Sequence, residues 1–294
     1  MKRLAILLLA LALGACTPVF FQPHNVIVST PGLYGIDYQP VELRAADGTA
    51  LFAWFMPARG DPQATVLYLH GNAENISAHF ANVAWMPAAG FNVLALDYRG
   101  YGGSEGRPSL AGVQLDIDAA MRALLERPDV DPDRIIVFGQ SLGGALAIHY
   151  VAHSAYRSHI RAIVADSAFA DYRMVAKEKM AGLFLTWPLQ WLPDYTVDNN
   201  YSPRASVAAL SPIPLLLIHG ERDAIVPPHH SQLLFESAQQ PKDLWSIPES
   251  GHIQALRSAP VRKRLTELLL QHSVARLPES PKRAGAHYVD VGLR

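Results

Sequence analysis

Short, almost unbroken apolar runs recur along the chain: Ala64–Leu69, Phe91–Leu96, Ile135–Phe138, Arg161–Ala165, Pro214–Ile218 and Leu244–Ile247. A run without polar alternation reads as a strand buried on both faces. Between these runs, Ile76–Ala89, Leu110–Leu125, the stretch from Gly144 to about His153, and Pro260–Leu270 carry helical spacing. Strands alternating with helices predict a mostly parallel sheet covered by helices on both sides. Two further strands precede them, Val41–Ala45 and Leu51–Met56, joined by Asp47-Gly48, a hairpin signal that predicts an antiparallel start. The expected architecture is an α/β sheet of about eight strands. Its functional loops lie at the carboxyl ends of the strands.

Three stretches depart from this pattern. Residues 168–210 hold Leu183, Phe184, Leu185, Trp187, Leu189, Trp191 and Leu192 among prolines, where a strand is due. They read as a small helical lid. Phe184, Trp187 and Trp191 are candidates to wall an apolar substrate, with core packing or a membrane-interface contact as the other readings. Residues 16–38 are punctuated by proline and glycine and read as a tether and entry segment. The folded body would span 39–272, and 273–294 read as a loose polar tail.

The first fifteen residues are a leader rather than fold. Met1-Lys2-Arg3 is basic, and Leu4–Leu13 is apolar but shorter than the roughly 20 residues a bilayer span takes. Leu13-Gly14-Ala15-Cys16 resembles a bacterial lipobox, whose cysteine is lipidated and becomes the first mature residue. Cys16 is the only cysteine, so no intrachain disulfide can form. The resemblance implies a lipid-anchored protein of the bacterial cell envelope. Thr17, in place of an aspartate, points to the outer membrane facing the periplasm over the inner membrane. An ordinary secretory signal cleaved nearby is the alternative.

Composition narrows the picture. The chain has 294 residues, half of them hydrophobic, and a net charge of −1. That length supports one large domain, and the neutral balance without a basic stripe argues against nucleic acid.

The candidate chemistry centres on Gly139-Gln140-Ser141-Leu142-Gly143, set between an apolar strand and a small-residue helix. This G-x-S-x-G context thrusts a serine hydroxyl out on a sharp turn, with the Leu142 N–H at a helix start for an oxyanion. The loop His70-Gly71-Asn72-Ala73 would supply the second donor, the Asn72 N–H or else that of Ala73. Asp223, after the seventh strand, is the candidate acid, with Glu221 as rival and Asp166 behind it. His252, after the last strand, is the candidate base, and His70 the lesser one. Asp97 and Arg99 read as an ion pair or loop brace. Gly100-x-Gly102 opens no phosphate-binding helix. His229-His230 look solvated and lack a third ligand at metal spacing, so the reading includes neither metal nor cofactor.

The order Ser141, Asp223, His252 is that of α/β-hydrolases. Together with Asp97-Tyr98-Arg99-Gly100-Tyr101-Gly102, His219-Gly220 and Gly251-His252, these motifs resemble that superfamily over about 41–272, in a subgroup of single-domain, often membrane-associated serine hydrolases. The resemblance implies an esterase- or thioesterase-like enzyme acting on lipid-like acyl substrates. A peptidase or amidase, or a non-catalytic binding lipoprotein, is the alternative.

Overall fold

The computed structural model describes residues 20–274. One sheet organises it: β1 (Gln39–Arg44), β2 (Ala50–Met56), β3 (Ala64–Leu69), β4 (Phe91–Asp97), β5 (Ile135–Gln140), β6 (Ile160–Asp166), β7 (Leu215–Gly220) and β8 (Lys242–Ile247). Their spatial order is β8-β7-β6-β5-β3-β4-β2-β1. β1 pairs antiparallel with β2, and β2 antiparallel with β4. Every other neighbouring pair in this sheet is parallel. The register sets Leu69 beside both Leu96 and Gly139, and Gln140 beside Asp166. The loops that follow these strands therefore start level with one another.

Successive side chains of a strand point to opposite faces. On one face Leu67, Leu69, Val137 and Ile163 pack against α1 (Leu110–Glu126) and α2 (Leu142–His153). On the other, Val66, Tyr68, Phe138 and Val164 meet Leu265 and Leu269 of α5 (Ala259–Val274). Two capping residues mark helix starts. Ser109 accepts the Gly112 N–H ahead of α1, and Asp171 accepts the Met174 N–H ahead of α3 (Tyr172–Ala181). Between α3 and α5 lies a fourth longer helix, α4 (His229–Ser237).

Four expectations are corrected. The helix expected over 76–89 is only a turn, Ile76–His79, followed by 3₁₀ turns at Phe80–Asn82 and Pro87–Ala89. Pro87 has no N–H to continue an α-helix, and its ring would meet the carbonyl one turn back. The entry segment is not a free tether from residue 20 onward. Phe20 and Phe21 are buried, and Gln22–Pro23 pair parallel with Ala73–Glu74. The closing helix runs to Val274 and buries Ser273, four residues beyond the expected end of the helix. Asp97 and Arg99 do not pair with each other: the Arg99 guanidinium binds Asp116 of α1 and Asp47 instead. The leader, Cys16 and the tail beyond 274 lie outside the described residues.

Candidate active site

Ser141 closes β5 and opens α2 with φ 54° and ψ −116°, a left-handed conformation that a serine adopts only where packing enforces it. The enforcement is steric. A Cβ on Gly139 would overlap the Gly143 carbonyl, and one on Gly143 would overlap the Leu69 carbonyl. Strand and helix thus touch backbone to backbone, and the turn between them is pinched outward. The Ser141 N–H donates to the Asp166 carbonyl at 2.8 Å, tying the turn to β6. Beneath it Tyr68 donates to Gln140 (2.6 Å) and Gln140 to Asp166 (2.8 Å), so the polar residue inside the motif is buried and satisfied. Among the described residues the Ser141 hydroxyl has no hydrogen-bond partner.

The candidate acid and base meet. His252 Nδ1 lies 2.7 Å from Asp223 Oδ2, which directs the other ring nitrogen away from the carboxylate. Asp223 Oδ1 accepts the Ile225 and Val226 N–H groups at 2.8 and 2.9 Å. A second histidine, His219, reaches the same Oδ2 at 3.2 Å. Burial favours the neutral carboxyl, yet hydrogen bonds from His219 and His252 outweigh it and hold Asp223 well below the usual carboxylate range. His219 was visible in the sequence only as part of a motif. Its spacing of four residues from Asp223 was the one signal for this contact. The rival carboxylate Glu221 is exposed and accepts from Ser246 Oγ at 2.8 Å, away from His252. Ser167 links the base to the sheet: its hydroxyl donates to Asp166 and accepts the Ile253 N–H at 3.0 Å.

Asn72 follows β3, in a loop whose Gly71 abuts Ser141: a Cβ added to Gly71 would stand 3.7 Å from that of Ser141. The Asn72 carbonyl accepts the Tyr101 hydroxyl at 2.6 Å, and its side-chain oxygen accepts the Gln22 N–H at 2.9 Å. Among the described residues the Asn72 N–H has no acceptor. The Leu142 N–H is the first of α2, a position with no intrahelical partner. His70 is fully buried, bonds the Gly71 carbonyl through Nδ1, and leaves Nε2 unpartnered 3.6 Å from Asp97 Oδ1. It braces the loop and does not meet Asp223. Asp97 Oδ1 accepts the Ile76 N–H at 2.8 Å, and burial pushes its carboxyl up to about 7.

The strained Ser141 elbow and the paired Asp223 and His252 thus follow parallel strands of one sheet. The model of a family described as serine aminopeptidase, S33, matches residues 60–209. The Escherichia coli (strain K12) protein YfhR is 41% identical over 243 residues, 80% of each chain. Protein bem46 of Schizosaccharomyces pombe is 31% identical over 238 residues, 79% of this chain and 77% of that one. Among solved structures, the Pyrococcus furiosus esterase Pf2001 matches with a TM-score of 0.68 and 25% identity, over 86% of this chain and all of the other. The chain belongs to the α/β-hydrolase superfamily.

In this α/β-hydrolase the stretch 168–210, read from the sequence as a lid, and its surroundings differ from that reading at two points. Phe184, Trp187 and Trp191 are 93%, 61% and 56% exposed. The shallow cleft that Phe184 and Trp187 line with Ala181, Leu185 and Pro188 contains none of Ser141, Asp223 and His252. Further back, Glu178 of α3 bonds His229 (2.8 Å) and His230 (2.9 Å) of α4. His230 is therefore buried rather than solvated, and the pair does have a third metal-type neighbour, contrary to the sequence reading. Glu178 lies 51 residues away in the chain, so no spacing rule could find it. The donor set suits a latch better than a cation. The Ala170 N–H donates to His230 Nδ1, so Nε2 carries the proton and donates to Glu178, leaving no lone pair there for a metal.

Proposed function

We propose that this α/β-hydrolase is a serine hydrolase that cleaves carboxylic ester or thioester bonds of apolar acyl substrates through an acyl-enzyme. The observation that carries the reading is the Asp223–His252 pair at 2.7 Å at the same sheet end as the strained Ser141 elbow. His252 takes the Ser141 proton as the oxygen bonds to the acyl carbon. The carbonyl oxygen becomes an oxyanion received by the Leu142 and Asn72 N–H groups. The tetrahedral centre collapses, the alkoxide or thiolate leaves with the proton from His252, and water repeats the sequence on the acyl group. Asp223 holds the histidine tautomer and stabilises the imidazolium. The oxyanion donors contribute most where charge develops, with about a hundred- to thousandfold in rate for one donor. The esterase Pf2001 supports an ester substrate. The description of the matching family supports a second reading, a peptide amide.

The test is labelling with a fluorophosphonate, followed by turnover of matched acyl esters, thioesters and peptide amides. Loss of label in Ser141→Ala together with ester or thioester turnover supports the proposal. Turnover of amides alone moves the assignment to the peptidase reading, and no label in the wild type ends the enzyme reading. We further propose that Cys16 is lipidated and holds the protein on the outer membrane facing the periplasm. Equal incorporation of a fatty-acid analogue by Cys16→Ser and wild type would remove that proposal.

A further inference from the structure

Phe20 stacks edge-on against Tyr172 at the start of α3, with ring centroids 5.0 Å apart, and lies 6.4 Å from Phe169. Two residues later the Gln22 N–H reaches Asn72 and the Tyr101 hydroxyl. The entry segment therefore runs from the root of the lid across the loop beside Ser141. Phe20 itself lies at that end. Cys16 is four residues upstream, within about 14 Å even when fully extended, and the apolar run Leu4–Leu13 comes just before it.

The lid is unpartnered at the same end. Burial stops with Val175 and Ala176 on α3. Beyond it, half of the large apolar side chains that are exposed among the described residues fall between positions 183 and 195. A contiguous exposed apolar surface of this kind marks a contact with another phase or molecule. Tryptophan at its edge favours the membrane–water interface. The lid is also held in its projecting pose: Glu178 is bonded to His229 and His230, and Lys177 to Asp194 at 2.6 Å.

We propose that the lid tip, centred on Phe184, Leu185, Trp187 and Trp191, is a docking surface for the lipid bilayer, and that it holds the mouth of the Ser141 site against the membrane from which the acyl substrate is drawn. The substrate clause rests on the hydrolase reading proposed above, and the docking clause on the exposed tip and the Cys16 anchor, independently of that reading. Phe20 at the lid root lies only four residues from Cys16, the lipid anchor proposed above, which keeps the bilayer within reach of this surface.

The test uses the full chain in vesicles of phosphatidylethanolamine and phosphatidylglycerol whose acyl chains carry bromine, a contact quencher of indole. The leader contains no tryptophan. Of the remaining three, Trp54 and Trp245 are buried and Trp85 is half-buried. Wild-type emission should be quenched, and the double variant Trp187→Phe, Trp191→Phe should lose most of the quenched component. Leu185→Asp should reduce hydrolysis of an acyl ester dissolved in the same vesicles by about tenfold, while leaving turnover of a soluble acetyl ester unchanged. Equal quenching in wild type and double variant overturns the proposal. If that result comes with dimers in detergent that Leu185→Asp dissolves, a second copy covers the tip instead. If it comes with saturable binding of free fatty acid that Leu185→Asp abolishes, the cleft is a ligand site and the proposal again fails. Quenching without turnover of either ester sinks the hydrolase reading and leaves the docking surface standing.

Discussion

Asp97 offers a prediction that can be worked from the structure to a number. Its carboxyl is fully buried, and burial pushes it from an ordinary 3.8 up to about 7, against the pull of the Ile76 and Gly103 N–H groups. The nearest ionisable side chain, His70, cannot compensate. Its own burial, aided by neighbouring His79, lowers its proton affinity well below normal, which disfavours the imidazolium that could pair with Asp97. A carboxyl whose folded value lies above its unfolded value favours the fold while protonated. Its effect is therefore most favourable in acid and is lost progressively as pH rises from about 4 through about 7. The full difference corresponds to about 4 kcal/mol, of which about 2.5 kcal/mol falls between pH values of about 5 and about 8. In Asp97→Asn the amide keeps an acceptor for the Ile76 N–H but cannot ionise. The expected outcome is a stability, measured by urea unfolding at a series of pH values, that changes less with pH than the wild type by about that amount. Groups shared by the two proteins cancel in the difference. Parallel pH profiles for wild type and Asp97→Asn would show that Asp97 ionises as freely in the fold as in water, and would refute the reasoning.

The remaining predictions concern the site and its scaffold. Asp223→Asn should lower kcat by about four orders of magnitude through the wrong histidine tautomer, whereas Glu221→Gln, which keeps an acceptor for the Ser246 hydroxyl, should stay near wild type; the reverse ranking reassigns the acid. Gly143→Ala places a methyl on the Leu69 and His70 carbonyls and should cost about 3 kcal/mol in thermal or urea unfolding, with loss of activity. Gly35→Ala, also at positive φ (68°) but with open space around its Cβ, should cost only about 1 kcal/mol in the same assay; equal costs would mean that strain rather than overlap governs both sites. Asp116→Ala strips the buried Arg99 side chain of its bidentate partner and should cost about 3–5 kcal/mol, while Asp47→Ala, which removes a half-exposed carboxylate, should cost far less.

Several features of this chain were legible one residue at a time. The parallel strands announced themselves because a strand buried on both faces has no polar side, so Ala64–Leu69 and Phe91–Leu96 stand out as solid apolar runs. The elbow at Ser141 was legible because its backbone contacts admit only glycine at positions 139 and 143, and both glycines are local to the turn. Asp223 and His252 could be named as candidates because each follows a strand, and loops after parallel strands share one end of the sheet.

What the sequence left open was every pairing that depends on which remote group arrives. Solid apolar strands carry no mark of their neighbour, so the insertion of β3 between β4 and β5 came only with the assembled sheet. Arg99 could be seen as a brace, but its partner proved to be Asp116, delivered by the face of α1 that packs on the sheet. His219 and His252 converge on one carboxylate because β7 and β8 lie side by side. The lid shows the limit most clearly. Its leucines and tryptophans are as apolar as any core run, and hydrophobicity alone left a substrate wall, core packing and a membrane-interface contact all open. Only the packed structure revealed that the core is already closed at Val175 and Ala176, so that those side chains are left facing outward. Burial is a property of the whole arrangement of elements, and a residue's own character determines only what it gains if that arrangement covers it.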